Sequence, residues 1–167
     1  MKLQIRFAQL RERAPLIELQ RRASLVWDEY RDALLANPDA IDIPVEQFRN
    51  CQVRTAWSGD RPIGFSAVTA LGAEICELDG LFVEPAHWRQ GIGRTLIEDA
   101  ARLARRRKFD RMEVTANPRA EGFYVKLDFI KYDVTETRFG SAFRMRRMLN
   151  QWLRPRRRDA ARALDCE

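Results

Sequence analysis

Residues 82–107, FVEPAHWRQGIGRTLIEDAARLARRR, constrain the fold more than any other stretch of the chain. A strand-like apolar run ends at Val83, a proline follows, and Gly91 and Gly93 stand directly before a long helical pattern. A loop that leads from a strand into a helix presents unpaired backbone N–H groups and the positive end of the helix dipole, which together bind phosphate oxygens. The pattern therefore indicates either an anion-binding loop or a plain strand-to-helix turn.

Two common nucleotide-binding motifs do not fit this loop. The dinucleotide pattern GxGxxG requires a third glycine, and Leu96 stands at that position. The P-loop pattern GxxxxGK[ST] is absent from the sequence. The spacing therefore argues against a dinucleotide-binding fold and against an ATP-binding P-loop.

The order of predicted elements indicates an α+β domain with a mixed, mostly antiparallel central sheet flanked by helices. A short strand over residues 2–7 precedes one helical region that opens at Pro15 and stops at Asn37-Pro38. A second helix is predicted over residues 91–107, and a short one opens at Pro118. The remaining strand-like runs are CQVRTAW, IGFSAVTA, EICELDGLFV, RMEVTAN, FIKYDVTET and AFRMRRML.

Length and composition suit one compact domain. The chain has 167 residues, 46% of them hydrophobic, which is enough for a sizeable core. Charges interrupt the apolar positions of residues 1–20, so we expect neither a signal peptide nor a membrane span, and a cytoplasmic location. The three cysteines show no CxxC spacing, and His87 is the single histidine. We therefore expect neither a disulfide framework nor a metal site.

The net charge of +6 comes from the C-terminal end of the chain. Residues 144–162 carry eight arginines and one acidic residue, Asp159, so the rest of the chain has a net charge of −1. We predict one domain over residues 1–153 and a solvated basic tail over residues 154–167. Because no helix-turn-helix, zinc-finger or ribonucleoprotein signature accompanies the arginines, nucleic acid is not the favoured partner.

Two motifs resemble those of the GNAT superfamily of acetyl-CoA-dependent N-acetyltransferases. LFVEPAHWRQGIGRTLI is similar to the family's signature loop, [QR]-x-x-G-x-[GA], and NPRAEGFYVKLDF is similar to its second motif, N-x-x-A-x-x-F-Y-x-x-x-G-F. The similarity extends over residues 3–153 and is strongest over residues 78–129. Three positions depart from the family pattern. Trp88 stands at the Gln/Arg position, Arg89 stands where many members carry a further glycine, and Asp128 replaces the glycine before Phe129.

The resemblance implies the GNAT fold and a site for acetyl-CoA, as co-substrate, beside the strand that ends at Val83. The pantetheine arm would pair with the backbone of Leu81 and Val83, and the pyrophosphate would lie on the amides of residues 90–95. The cofactor-binding residues implied in this way are Leu81, Phe82, Val83, Arg89, Gln90, Gly91, Ile92, Gly93, Arg94, Thr95, Asn117 and Tyr124.

Tyr124 matches the tyrosine of the second motif, which implies that it protonates the departing thiolate. A phenol with a pKa of about 10 stays protonated at neutral pH and can donate to such a group. The spacing of Tyr124 with Phe123 and Leu127 also fits an ordinary core position. Asn117 likewise has two interpretations, as the cap of the helix that Pro118 opens and as a cofactor contact.

Glu77 is the predicted general base, acting through a water, on the strand that would line the acceptor cleft. Asp79 lies two residues further and therefore on the same face, so Asp79 and water itself are the alternatives for removing the amine proton. His87 is expected to be a surface or loop-packing residue. Three aromatic residues are candidates either for an acceptor pocket or for the core: Trp27, Tyr30 and Trp57.

The sequence thus predicts an N-acetyltransferase that transfers an acetyl group directly from acetyl-CoA to a primary amine, with Tyr124 and Glu77 as its catalytic residues. The acceptor, an amine-bearing small molecule or protein, and a homodimeric state are left open. One alternative is a catalytically silent GNAT-fold module that binds acyl-CoA or a partner. The other is a protein that binds its partners through the basic tail.

Overall fold

The computed structural model describes residues 3–149. The predicted basic tail, residues 154–167, lies outside this part of the chain. Among the described residues, no helix is both long enough and apolar enough to cross a membrane.

A seven-stranded sheet in the order β1-β2-β3-β4-β5-β7-β6 forms the centre of the fold. β4 and β5 run parallel, and every other neighbouring pair described is antiparallel. The prediction of a mixed, mostly antiparallel sheet is therefore confirmed. The strands are β1 (Leu3–Phe7), β2 (Val53–Ser58), β3 (Arg61–Ala70), β4 (Ile75–Val83), β5 (Arg111–Ala116), β6 (Ile130–Thr137) and β7 (Gly140–Met148).

Helices cover both faces of the sheet. α1 (Arg13–Ser24) packs on β3 and β4 from one side, which we call the α1 face. α4 (Ile92–Arg106) packs on β2, β3 and β4 from the other side, the α4 face. Three shorter helices complete the described fold: α2 (Asp28–Ala36), α3 (Val45–Arg49) and α5 (Glu121–Val125).

The helical region that opens at Pro15 is two helices rather than the one predicted. α1 ends at Ser24, and Trp27 has an extended backbone (φ −88°, ψ 103°) before α2 begins at Asp28. Asp28 and Glu29 then place negative charge in the first turn of α2, where the helix dipole favours it. The apolar spacing continues across the break, so periodicity alone did not reveal this elbow between α1 and α2.

The two faces of the sheet carry separate parts of the core. On the α1 face, Phe65 of β3 packs with Leu16 and Leu19 of α1. On the α4 face, Ile92 and Leu96 of α4 pack with apolar residues of β2 and β3. Each such buried side chain contributes about 1.5–3 kcal/mol. This burial fixes the beginning of α4, and the loop before it, against the end of β4.

The pairing of β4 with β5 ends early. The last Cα partners across this parallel pair are Glu77 and Glu113. Asp79 forms a bulge against β3, and a bulge of this kind bends its strand. β5 continues to Ala116 beside β7. A V-shaped opening, the β4–β5 gap, therefore separates the two strands, with its apex at Glu77 and its mouth at Val83.

Candidate active site

The backbone of β4 faces the gap at alternate residues. Glu84 donates its N–H to the Ile63 carbonyl of β3 (2.9 Å), and residues bonded to an antiparallel neighbour alternate with residues that point away from it. Leu81 and Val83 therefore turn their N–H and C=O groups into the gap. Phe82 bonds to β3, and its half-buried ring packs against the α1-face core. The backbone of Phe82 is therefore turned towards β3 and not into the gap.

The loop beyond the mouth carries a run of unpaired backbone donors. Within the described chain, the N–H groups of residues 89–94 donate to no backbone carbonyl. Thr95 donates both its N–H and its Oγ1–H to the Gly91 carbonyl, each over 3.0 Å. The free amides therefore end at Arg94, one residue earlier than predicted. Such a run at a helix N-terminus is suited to phosphate oxygens.

The side chains of this loop divide into exposed and packed groups. Arg89 and Arg94 are exposed and add positive charge beside the amides. Ile92 is 2% exposed and belongs to the core, so it can offer a ligand only its amide. The Gln90 side chain donates from Nε2 to the Ala86 carbonyl (3.4 Å).

Gly91 and Gly93 are required for different reasons. Gly91 precedes α4 with φ +82°, a left-handed conformation that glycine adopts without strain, and the position where its Cβ would stand is open. At Gly93 a Cβ would lie 3.2 Å from Phe123 Cζ and 3.8 Å from Val83 Cγ2. Gly93 therefore allows α5 to pack against the beginning of α4, whereas Gly91 leaves the free amides accessible.

Two departures from the family motifs keep the backbone shape of glycine. Arg89 has φ +61° and Asp128 has φ +63°, in the region that strains residues with a side chain. After α5, Asp128 donates its N–H to the Val125 carbonyl and Phe129 donates to the Tyr124 carbonyl, each over 3.1 Å. Glycine is usual at the left-handed position of such a helix end.

Aromatic side chains span the mouth of the gap. Trp88 donates its indole Nε1–H to the Val83 carbonyl (2.7 Å), and its ring stacks on Trp27 with 5.7 Å between centroids. The Arg119 guanidinium, just beyond β5, lies 5.5 Å from the Trp27 ring and pairs with Glu29 of α2 (2.5 Å). We call Trp88, Trp27 and Arg119 the aromatic bridge, because together they join the end of β4 to the end of β5.

The three aromatic pocket candidates do not share one location. Trp27 belongs to the aromatic bridge, and Tyr30 lies one helical turn further along α2. Trp57 lies on β2, where the Arg6 guanidinium is 4.6 Å from its ring. Since β3 and β4 separate β2 from β5 in the sheet, Trp57 is not part of the gap.

Asn117 lies where β5 leaves the sheet. Its Oδ1 accepts the N–H of Arg119 (2.9 Å), so the predicted capping role is observed. Burial and then the Glu29 carboxylate raise the pKa of Tyr30, whereas Arg119 and Asn117 oppose this rise. The Tyr30 hydroxyl therefore stands beside Asn117, at the same end of the gap as the aromatic bridge.

Tyr124 is buried on α5, with 7% of its surface exposed. Its ring meets Phe123 and Phe129 edge-on, with centroids 5.2 and 5.4 Å apart. Within residues 3–149 its hydroxyl donates no hydrogen bond, and burial raises the pKa of Tyr124 well above the ordinary value of 10. Since Phe123 contacts the position of Gly93, α5 lies beside the mouth of the gap.

Carboxylates gather at the apex of the gap. Glu77 is half-buried and lies opposite Glu113 in the parallel register. Asp79 accepts a hydrogen bond from Gln47 Nε2 of α3 (2.6 Å). Burial, followed by the charges of Asp79 and Glu113, raises the pKa of Glu77. The raised pKa makes Glu77 a stronger base than an exposed glutamate.

Glu113 was not singled out from the sequence. It is 8% exposed, accepts the Tyr132 hydroxyl (2.9 Å) and lies 3.5 Å from Arg144. One sequence signal could have identified Glu113: it is a charged residue between the apolar Met112 and Val114 in a strand that is central enough to be buried. Buried carboxylates are generally paired or functional.

His87 lies in the turn before the loop, and in the described chain its Nδ1 has no hydrogen-bond partner. No group of three or more His, Cys, Asp or Glu residues among residues 3–149 could hold a metal ion.

Comparison with known families decides which family this architecture represents. Residues 17–129 match the Acetyltransferase (GNAT) family. The chain belongs to this family. The matched range contains the gap, the loop and Tyr124, so the resemblance inferred from the two motifs is confirmed. No curated protein sequence matches the chain at a significant level.

Solved structures of GNAT proteins share this fold at low sequence identity. The PaiA N-acetyltransferase from Thermoplasma acidophilum, solved with coenzyme A, has a TM-score of 0.75 and 20% identity over 89% of this chain and 99% of that one. The ribosomal-protein-S18-alanine N-acetyltransferase from Escherichia coli has a TM-score of 0.67 and 17% identity over 89% of this chain and 94% of that one. An aminoglycoside 6'-N-acetyltransferase complexed with coenzyme A has a TM-score of 0.68 and 18% identity over 93% of this chain and 100% of that one. The likeness confirms the predicted GNAT-like α+β fold.

The gap of this GNAT protein is long compared with a small acyl group. From Glu77 at the apex to Val83 at the mouth, β4 extends for about 20 Å at 3.3 Å per residue. A ligand with phosphates on the free amides of residues 89–94 therefore needs a long arm to bring a reactive group towards Glu77. The backbone groups of Leu81 and Val83 that face the gap suit an arm containing amides, which is the chemistry of pantetheine.

Proposed function

We propose that this GNAT acetyltransferase acetylates a primary amine directly, with acetyl-CoA as the donor. The observation that carries the proposal is the run of free amides in residues 89–94 at the mouth of a gap whose apex holds Glu77. Two of the structural neighbours, the PaiA protein and the aminoglycoside enzyme, are N-acetyltransferases solved with coenzyme A. Their ligand and reaction support the same assignment here.

The loop and β4 hold the donor. Amides of residues 89–94 and the exposed guanidinium groups of Arg89 and Arg94 bind the phosphates, and Leu81 and Val83 pair with the arm. Asn117 contacts the donor from the β5 side. Bound acetyl-CoA supplies the activated acetyl group. A backbone N–H of β4 aimed at the acetyl oxygen stabilises the charge that develops there, and one such donor is worth on the order of 3 kcal/mol.

Tyr124 supplies a proton to the departing thiolate. Its raised pKa keeps the phenol protonated at neutral pH. The same apolar surroundings disfavour a free thiolate, so protonation of the departing thiolate is favoured. The edge-on contacts with Phe123 and Phe129 hold the ring in one orientation.

Glu77 removes the amine proton through a water. Its raised pKa matches this role better than that of an ordinary carboxylate. A lysine-like amine of pKa about 10.4 costs about 4.6 kcal/mol to deprotonate at pH 7, whereas an α-amine of pKa about 8 costs about 1 kcal/mol. Dependence on Glu77 should therefore be greater for lysine-like acceptors than for α-amines.

Binding is tested by thermal unfolding with saturating acetyl-CoA. A ligand at 100 times its Kd stabilises the folded state by about 2.7 kcal/mol, so the Tm should rise by about 5–10 °C in a chain of this size. Gly91→Val should abolish the shift, because its side chain enters the space above the free amides. Gly59→Val is the matched control, since Gly59 also has a left-handed backbone (φ +57°) and open space, but lies in the β2–β3 turn. An unchanged Tm of the parent protein with acetyl-CoA rules out the proposal.

Catalysis is tested by thiol release from acetyl-CoA with a panel of amines. The panel should contain an α-amine peptide, a lysine peptide, a polyamine, an aminoglycoside and free amino acids. At least one amine should accelerate thiol release over the rate in water. A protein that binds acetyl-CoA but responds to no amine would instead be the catalytically silent module.

A further inference from the structure

Trp88 occupies a backbone group that the proposed donor needs. The Val83 carbonyl points into the gap and accepts the indole N–H of Trp88 at 2.7 Å. Pantetheine amides that run along β4 would donate to the same carbonyl. The oxygen has a second lone pair, but an indole held 2.7 Å from it stands on the side that faces the gap, so the indole and the arm compete for the same space beside the carbonyl.

The Trp88 indole is also tied to the elbow between α1 and α2. Its ring stacks on Trp27, with 25° between the ring planes. Trp27 is in turn held near Arg119, whose guanidinium pairs with Glu29. A shift of Trp88 away from Val83 therefore has to alter its packing against the elbow.

We propose that Trp88 is a positioning residue that covers the Val83 carbonyl in the free protein and yields it to the pantetheine arm. Entry of the arm thereby releases Trp88 from β4 and changes its stack on Trp27. This inference rests on the proposed function, since it requires acetyl-CoA to bind along β4. It assigns a role to the one loop position, Trp88, at which this chain carries an indole instead of the Gln or Arg of the family pattern.

Trp88→Phe tests the competition, because phenylalanine keeps an aromatic ring for the stack and removes the N–H. Affinities for acetyl-CoA and for 3′-phosphoadenosine 5′-diphosphate are measured by titration calorimetry; the second ligand has the nucleotide and the phosphates but no pantetheine. The variant should bind acetyl-CoA about two- to tenfold more tightly, the value of one net hydrogen bond. Its affinity for the nucleotide should stay unchanged. Trp57→Phe, on β2 outside the gap, is the matched control and should change neither affinity.

Trp27→Leu tests the link to the elbow. Without the stack, Trp88 is held less firmly on Val83, so this variant should also favour acetyl-CoA over the nucleotide. In the double variant the two effects should be less than additive, because both act through the same indole N–H.

The outcomes separate the inference from the proposed function. Equal or weaker acetyl-CoA binding by Trp88→Phe, or an equal change for both ligands, overturns the competition while leaving the proposed function intact. Unchanged affinity of Trp27→Leu, or full additivity, overturns the link to the elbow. If the parent protein binds no acetyl-CoA, the inference and the proposed function both fall.

Discussion

The substitution Tyr124→Phe separates a catalytic tyrosine from a core tyrosine, because it removes one hydroxyl and keeps the ring. The contacts of that ring with Phe123 and Phe129 should persist. In residues 3–149 the hydroxyl has no hydrogen-bond partner, although Tyr124 is 7% exposed. Within that part of the chain the substitution therefore breaks no hydrogen bond.

The magnitudes of the two effects follow from this environment. Removing a hydroxyl that donates no hydrogen bond within residues 3–149, while keeping the packed ring, should change stability by less than about 1 kcal/mol. For a chain of this size each kcal/mol changes the Tm by about 2–4 °C. Loss of a general acid lowers turnover by about 10²- to 10⁴-fold. A catalytic Tyr124 thus predicts a protein whose stability is close to that of the parent and whose turnover is at least about tenfold slower.

The assay combines thiol release under single-turnover conditions with thermal unfolding and acetyl-CoA titration. Tyr132→Phe is the matched contrast, since its hydroxyl donates to Glu113 at 2.9 Å and its loss should lower stability by about 0.5–1.5 kcal/mol. Parental turnover of Tyr124→Phe, where chemistry limits the rate, would remove Tyr124 from the mechanism and leave water as the proton source.

Two further predictions concern Glu77 and Asp128. The folded-state pKa of Glu77 is raised above the ordinary value of 4.5. The stability contributed by protonated Glu77 is therefore fully present below pH 4.5 and is lost as the pH rises through the raised pKa. Glu77→Gln, which stays neutral, should therefore unfold at a higher Tm than the parent at pH 7–8 and at the same Tm near pH 4, while acetylating lysine-like amines more slowly; a Tm difference independent of pH would contradict this. Asp128→Gly should stabilise the protein by about 0.5–1 kcal/mol in thermal unfolding, because glycine relieves the left-handed backbone at φ +63°, and Asp128→Ala, which keeps the strain, should give no gain.

Local patterns predicted the strands and α4 because burial on one face imposes a period on the sequence. Ile92, Leu96 and Ala100 recur along α4 in this way and are buried in the fold. The elbow before Trp27 was missed for the same reason, since the apolar spacing continues through it. Periodicity reports which side of an element is buried and does not report where its axis bends.

The site was predicted unevenly, according to how local its determinants are. The free amides before α4 follow from Gly91 and a helix start that are adjacent in sequence. The apex of the gap depends on the register between β4 and β5, which places Glu113 beside Glu77 although they belong to separate segments. The contact of Trp88 with Trp27 depends on packing between distant segments in the same way, so it could not be read from either motif.

Two features around the gap each reduce stability, and this gives a physical reason to regard the gap as the functional site. Arg89 adopts a left-handed backbone at φ +61°, and burial raises the pKa of Glu77. Proteins generally retain such costs where function requires them. Asp128 is strained as well, yet it lies in the turn after α5, so strain alone does not mark a site. What distinguishes Arg89 and Glu77 is that each brings a charge to the same opening: a guanidinium at the mouth and a carboxylate at the apex, with the Tyr124 phenol between them in the proposed reaction.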